Sequence, residues 1–163
     1  MASNEVADLH VKGSLTCRTF SPPSSCISDA AIAAAANIDA DKLQHRWRAM
    51  LTQVHGTAAA TERSVVYYAR TTGTVTSVKA GTVVLNIGAA TITVDVKKNG
   101  TTILSGVITL DTANTAYIAE AGTITVPALV AADVLEVVVV ATAGGGTLGQ
   151  GLFVMVEIDE DYG

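Results

Sequence analysis

Thr91-Ile92-Thr93-Val94-Asp95-Val96-Lys97-Lys98-Asn99-Gly100-Thr101-Thr102-Ile103-Leu104 is the stretch that decides the fold. Ile92, Val94 and Val96 alternate with Thr91, Thr93 and Asp95, the period of two that sends successive side chains to opposite faces of a strand. Asn99 and Gly100 both tolerate positive φ, so they predict a two-residue hairpin turn whose twist matches its strands. The turn sets a register of Lys98 opposite Thr101 and Val96 opposite Ile103, with both apolar residues on one face. Carried on unbroken, that register buries Ser105, Val107 and Thr109 and leaves Ile108 and Leu110 outside. A bulge at Ser105-Gly106 is expected, because it returns Ile108 and Leu110 to the inner face.

The same period extends to both sides. Val65, Tyr67 and Ala69 alternate with Val66, Tyr68 and Arg70. Thr72-Gly73 reads as a turn into a strand at 74–78, and Ala80-Gly81 as a turn into a strand with Val83, Leu85 and Ile87 on one face. Further strands are expected at 123–126, 134–142 and 152–158. About eight short strands with no helix between them predict an all-β fold, an antiparallel β-sandwich of jelly-roll type, over residues 61–163. Residues 134–140 are apolar on both faces except for Glu136, and 152–158 are apolar on both faces until Glu157. A sandwich buries one face of each sheet. The second apolar face is therefore either covered by a loop or the N-terminal arm, or forms an oligomer interface through Val138, Val140, Phe153 and Met155.

Composition agrees with this class. Of 163 residues, 49% are hydrophobic but only 4% aromatic and 15% charged, the apolar share coming from Ala and Val. β-branched Val and Thr fit a pleated surface. Residues 1–70 carry seven Lys/Arg against six Asp/Glu, and residues 71–163 carry three against nine, balances of +1 and −6 that sum to the net −5. An acidic β region without a basic stripe argues against a nucleic-acid partner.

Residues 1–60 read as an extended arm. Ser21-Pro22-Pro23-Ser24-Ser25 is a rigid extended segment. Ser28 or Asp29 can cap a short helix at 30–36, too short to span a membrane. No basic n-region precedes it, so no secretion signal is expected. Cys17 and Cys26 flank the Pro22-Pro23 turn, and whether they pair depends on the compartment. From Leu43 to Val54 helical and extended spacing compete, and periodicity leaves both open.

The search for chemistry is short. His10, His45 and His55 lie at no metal-ligand spacing, so no metal is expected. The run from Gly144 to Gly151 joins two strands and lacks the Lys-Ser/Thr of a phosphate loop, which makes it a strand connection. The acidic tail Glu157, Asp159, Glu160 and Asp161 reads as a solvated charge run. No nucleophile has a base beside it. The chain therefore reads as a structural or binding module and not an enzyme, with no cofactor, no small-molecule substrate and no membrane partner. Arg46-Trp47-Arg48 has the composition of an interface anchor; alternatively, Trp47 staples the arm to its own sandwich.

Two stretches resemble structural proteins of tailed bacteriophages, namely capsid decoration (cement) and head-fibre-like proteins. One runs from Ile27-Ser28-Asp29-Ala30 through Asn37-Ile38-Asp39-Ala40-Asp41-Lys42-Leu43-Gln44-His45. The other is the hairpin stretch quoted above, continued by Ile108-Thr109-Leu110-Asp111 and 119–123. The resemblance covers roughly residues 27–160 and is specific for phage structural modules. It implies a β-sandwich on the outer surface of the virion head, assembled in the host cytoplasm, with the major capsid protein as partner and self-association as a homotrimer. It implies further that the N-terminal segment grips the capsid and that the stretch after His45 is extended. The arm residues expected to make that contact are Val11, Leu15, Phe20, Ile27, Arg46, Trp47 and Arg48. The alternative is a carbohydrate- or receptor-binding domain of a phage fibre, for which the β region offers the aromatics Tyr67, Tyr68, Tyr117, Phe153 and Tyr162.

Overall fold

A computed structural model describes residues 45–161. The expected helix at 30–36, the cysteines and the arm residues Val11, Leu15, Phe20 and Ile27 lie outside the described residues. Ten strands follow one another: β1 (His45–Thr52), β2 (Glu62–Tyr68), β3 (Thr72–Val84), β4 (Thr91–Lys98), β5 (Thr101–Thr102), β6 (Ile108–Leu110), β7 (Glu120–Ala121), β8 (Ala128–Leu129), β9 (Val134–Thr142) and β10 (Gln150–Asp161). They form two antiparallel sheets. Sheet I has the order β1-β10-β3-β7 with β8 also on β3, and sheet II the order β2-β9-β4-β5 with β6 also on β4. Since β5 and β6 share one neighbour, as do β7 and β8, each pair acts as one interrupted strand. The result is the eight-strand, two-sheet arrangement of a jelly roll.

The core is the space between the sheets. Leu51, Val75, Val78, Leu152, Val154, Val156 and Ile158 face inward from sheet I. They meet Ile92, Val94, Val96, Ile108, Leu110, Leu135, Val137 and Val139 from sheet II. Strict alternation puts these residues there, and each fully buried Val or Leu contributes roughly 1.5–3 kcal/mol by leaving water. Val75 and Val78 share a face despite their odd spacing because the β3–β10 register shifts between Glu157 and Ile158.

The hairpin forms as its sequence predicts. Lys98 pairs with Thr101 and Lys97 with Thr102, Ile103 donates its N–H to the Val96 carbonyl at 2.9 Å, and Asn99 and Gly100 have φ of 50° and 85°. Ile108 and Leu110 do return to the core, but not by a simple bulge. Val94 pairs with Ile108, so the six residues from Ile103 to Ile108 face the three from Val96 to Val94, three in excess. The excursion buries Leu104 and bridges it to Ile124.

Four expectations are corrected. Ala80-Gly81 is not a turn, because β3 runs through it. Gly81 lies opposite Phe153, and a Cβ there would stand 2.6 Å from the Phe153 Cζ and 2.9 Å from the Ile118 carbonyl oxygen. The glycine makes room for a ring, not for a bend. The segment with Val83, Leu85 and Ile87 is likewise not a strand with an apolar inner face. Thr82 and Asn86 are buried there while Val84 and Ile87 are exposed. Residues 123–126 form no strand; Ile124 makes an isolated bridge, and Thr125 and Val126 both donate to the Ile103 carbonyl. Finally, β1 lies inside the range read as arm, and sheet I takes it up over its full length against β10. The extended reading of that stretch is the one that forms.

Candidate functional site

Sheet I presents a divided outer face. Alternation along β1 and β10 sends Arg46, Arg48, Met50 and Thr52 outward beside Asp159, Glu157, Met155 and Phe153. In one half, Arg46 Nε meets Asp159 at 2.7 Å and Arg48 Nε meets Glu157 at 2.9 Å. Exposed ion pairs of this kind stabilise a fold by about 0–1 kcal/mol each, so their effect is mainly to fix the guanidinium groups over β10. In the other half, Met50 lies opposite Met155, and Phe153 opposite Thr52 on one side and Gly81 on the other. Met50 is 56% exposed. Thioethers and an aromatic ring form an adaptable apolar surface.

Trp47 sits between the two arginines in sequence but on the opposite face of β1. Its indole N–H donates to Glu160 Oε2 at 2.7 Å, and Glu160 is buried and also accepts from the Tyr67 hydroxyl. Groups from β1, β2 and β10 thus meet on one carboxyl between the sheets, a strut joining sheet I to sheet II. The acidic tail is therefore not a solvated run: Glu157 and Asp159 are ion-paired and Glu160 is inside.

The four residues assigned to an oligomer interface do not form one surface. Val138 and Val140 point outward from sheet II, where Thr93, Asp95 and Arg63 neighbour them. Phe153 and Met155 point outward from sheet I, on the far side of the sandwich. The Arg63–Glu136 pair, with Nη2 to Oε2 at 2.5 Å, adds charge to the sheet II face.

Two other buried polar groups hold loops in place. Asn86 donates to the Leu110 carbonyl and accepts from the Gly149 N–H, both at 2.7 Å. The glycine-rich connection is consequently packed down on residues 84–90, and a Cβ at Gly146 would fall 2.0 Å from the Ile87 carbonyl oxygen. Asp133 accepts from the Val130 N–H at 2.8 Å and from the Asn99 side chain at 2.6 Å, with Lys98 Nζ at 3.9 Å. The Val130 bond holds its carboxyl below the usual range against the opposing effect of burial, and Asn99 and Lys98 add to it.

Open depressions lie between β1 and β2. One of about 380 Å³ is lined by Met50, Thr52, Glu62, Ser64 and Val65 among others. Another of about 320 Å³ is formed by the connecting loop around Gln53 and Thr57. Glu62 accepts from Gln53 and Ser64, which lower its pKa. Among the described residues no three His, Cys, Asp or Glu side chains are placed to hold a metal, and no helix is long and apolar enough to cross a membrane.

Sequence reasoning missed the outward position of Met50 and the inward meeting of Glu160 with Tyr67. Alternation along β1, β2 and β10 marks their faces, but only once each strand's partner is known. No protein-family model matches the chain, and comparison with curated proteins finds no match. The fold defines the class, a jelly-roll β-sandwich.

Proposed function

We propose that the chain is a virion structural protein of a tailed bacteriophage. In this reading it is a decoration or cement protein that binds the outer surface of the head beside the major capsid protein and stiffens it. The observation that carries the reading is the divided outer face of sheet I, where Met50, Met155 and Phe153 form an apolar strip next to self-neutralised ion pairs. A contiguous apolar surface rimmed by polar groups suits a protein contact. The stretch whose sequence resembles phage structural proteins builds β4 to β6, the middle and border of sheet II.

A second reading, a carbohydrate- or receptor-binding domain of a phage fibre, has Tyr117 and Tyr68 in its favour. They are 74% and 59% exposed, and Tyr117 has a φ of 65°. However, Tyr117 is bonded to β3 of sheet I through Thr82, whereas Tyr68 ends β2 of sheet II. The two rings share no platform on which a sugar stacks.

Rebinding to heads tests the first reading. Full-length protein mixed with heads stripped of it is expected to co-sediment at a fixed ratio to the capsid protein. Met155→Glu, which sets a charge in the apolar strip, is expected to weaken that binding about tenfold or more, as central interface substitutions do. Failure of the parent to bind heads would reject the reading.

A further inference from the structure

The borders of the two sheets are unequal. On one side they consist of β5, β6, β7 and β8, each two or three residues long and broken by loops. Short, interrupted borders offer no template for another strand. On the other side, β2 shifts register between Val65 and Tyr67, which also spoils a template. β1 differs: it pairs with β10 over eight residues without a register shift, and contains no proline.

The phase of its ladder follows from one bond. Gln53, the residue after β1, donates its N–H to the Leu152 carbonyl at 2.8 Å. In an antiparallel pair, residues alternate between turning both backbone groups to the neighbour and turning both away. His45, Trp47, Ala49 and Leu51 therefore face β10, and Arg46, Arg48, Met50 and Thr52 direct their N–H and C=O groups away from it. Charged side chains commonly guard such a border. Here the two arginines are drawn off it, since Asp159 and Glu157 hold them over β10.

We infer that this border of β1 pairs with β1 of a second copy, antiparallel about a twofold axis at Ala49. The register is chosen by chemistry. Only pairings that set outward-facing residues opposite one another satisfy the hydrogen bonds, which requires the axis to pass through a residue. An axis at Arg48 sets Arg48 against itself, and an axis at Trp47 sets Arg46 against Arg48; like charges directly opposed are unfavourable. An axis at Ala49 has the longest overlap free of that conflict. It sets Arg48 opposite Met50, Arg46 opposite Thr52 and Trp47 opposite Leu51. Four hydrogen-bonded pairs then exchange about eight backbone bonds, and the half of Trp47 that is exposed gains an apolar neighbour. Pairing of one border with itself is isologous and closes at two copies.

Sedimentation velocity of the full-length chain over a concentration series is the test, and it is expected to show a monomer–dimer equilibrium. Met50→Pro removes one outward N–H that no strand among the described residues uses. It is expected to melt like the parent while raising the dimer dissociation constant about tenfold or more. Met50→Lys, which sets a cation opposite Arg48 of the other copy, is expected to weaken the dimer severalfold, and Met50→Glu to tighten it. Hydrogen exchange at the Arg48 and Met50 amides is expected to slow as concentration rises. A monomer at about 100 μM, which would place any dimer's dissociation constant above that range, a trimer, or a dimer that Met50→Pro and Met50→Lys both leave intact would overturn the inference.

Discussion

Trp47 donates its indole N–H to Glu160 at 2.7 Å, so the residue that looks most like an exposed anchor in the sequence braces the space between the sheets. Trp47→Phe keeps the apolar ring and removes the donor. Loss of a hydrogen-bond partner to a buried acceptor costs about 1–3 kcal/mol, and a urea melt of the variant is expected to show a loss in that range with an unchanged slope. A melt identical to the parent would mean that the strut carries no stability.

The hairpin turn provides a second check. Gly100 has a φ of 85°, a region that a β-branched residue strains to enter. Gly100→Val is expected to destabilise the fold by about 1–3 kcal/mol, whereas Lys97→Ala is expected to stay within about 0.5 kcal/mol, as surface changes usually do. Thermal melts of the two variants separate these outcomes.

Acid stability depends on Asp133. Its carboxyl is held below the ordinary range first by the Val130 N–H and further by Asn99 and Lys98. A group whose folded pKa is depressed adds stability that is present above the unfolded value, about 3.9 for Asp. That stability is lost as pH falls through the folded value. The melting temperature is therefore expected to drop as pH is lowered from about 5 toward 2. Asp133→Asn is expected to lower stability near neutrality and to flatten that acid slope.

What could be read from the sequence depended on whether local chemistry was enough. Asn99-Gly100 and the alternation around it contain their own register, so the hairpin and the inward set Ile92, Val94 and Val96 were legible. The jelly-roll class followed from strand number and spacing. Gly81 was misread because its meaning lies 72 positions away in Phe153, the ring it accommodates. Glu160 was misread for the same reason: nothing near it in sequence names Trp47 or Tyr67 as donors. The two-faced apolar strands are legible in the sequence, but the topology that sends Val138 and Met155 to opposite faces of the sandwich is not. Contacts made between distant strands are visible only once the sheets are assembled.

The proposed role, decoration of a phage head, is tested most directly by quantitative mass spectrometry of purified virions from a phage carrying this coding sequence, before and after heads and tails are separated. The protein is expected at a fixed ratio to the major capsid protein and is expected to stay with the heads. Its absence from the particles, or its recovery in a few copies with the tails, would contradict the proposal.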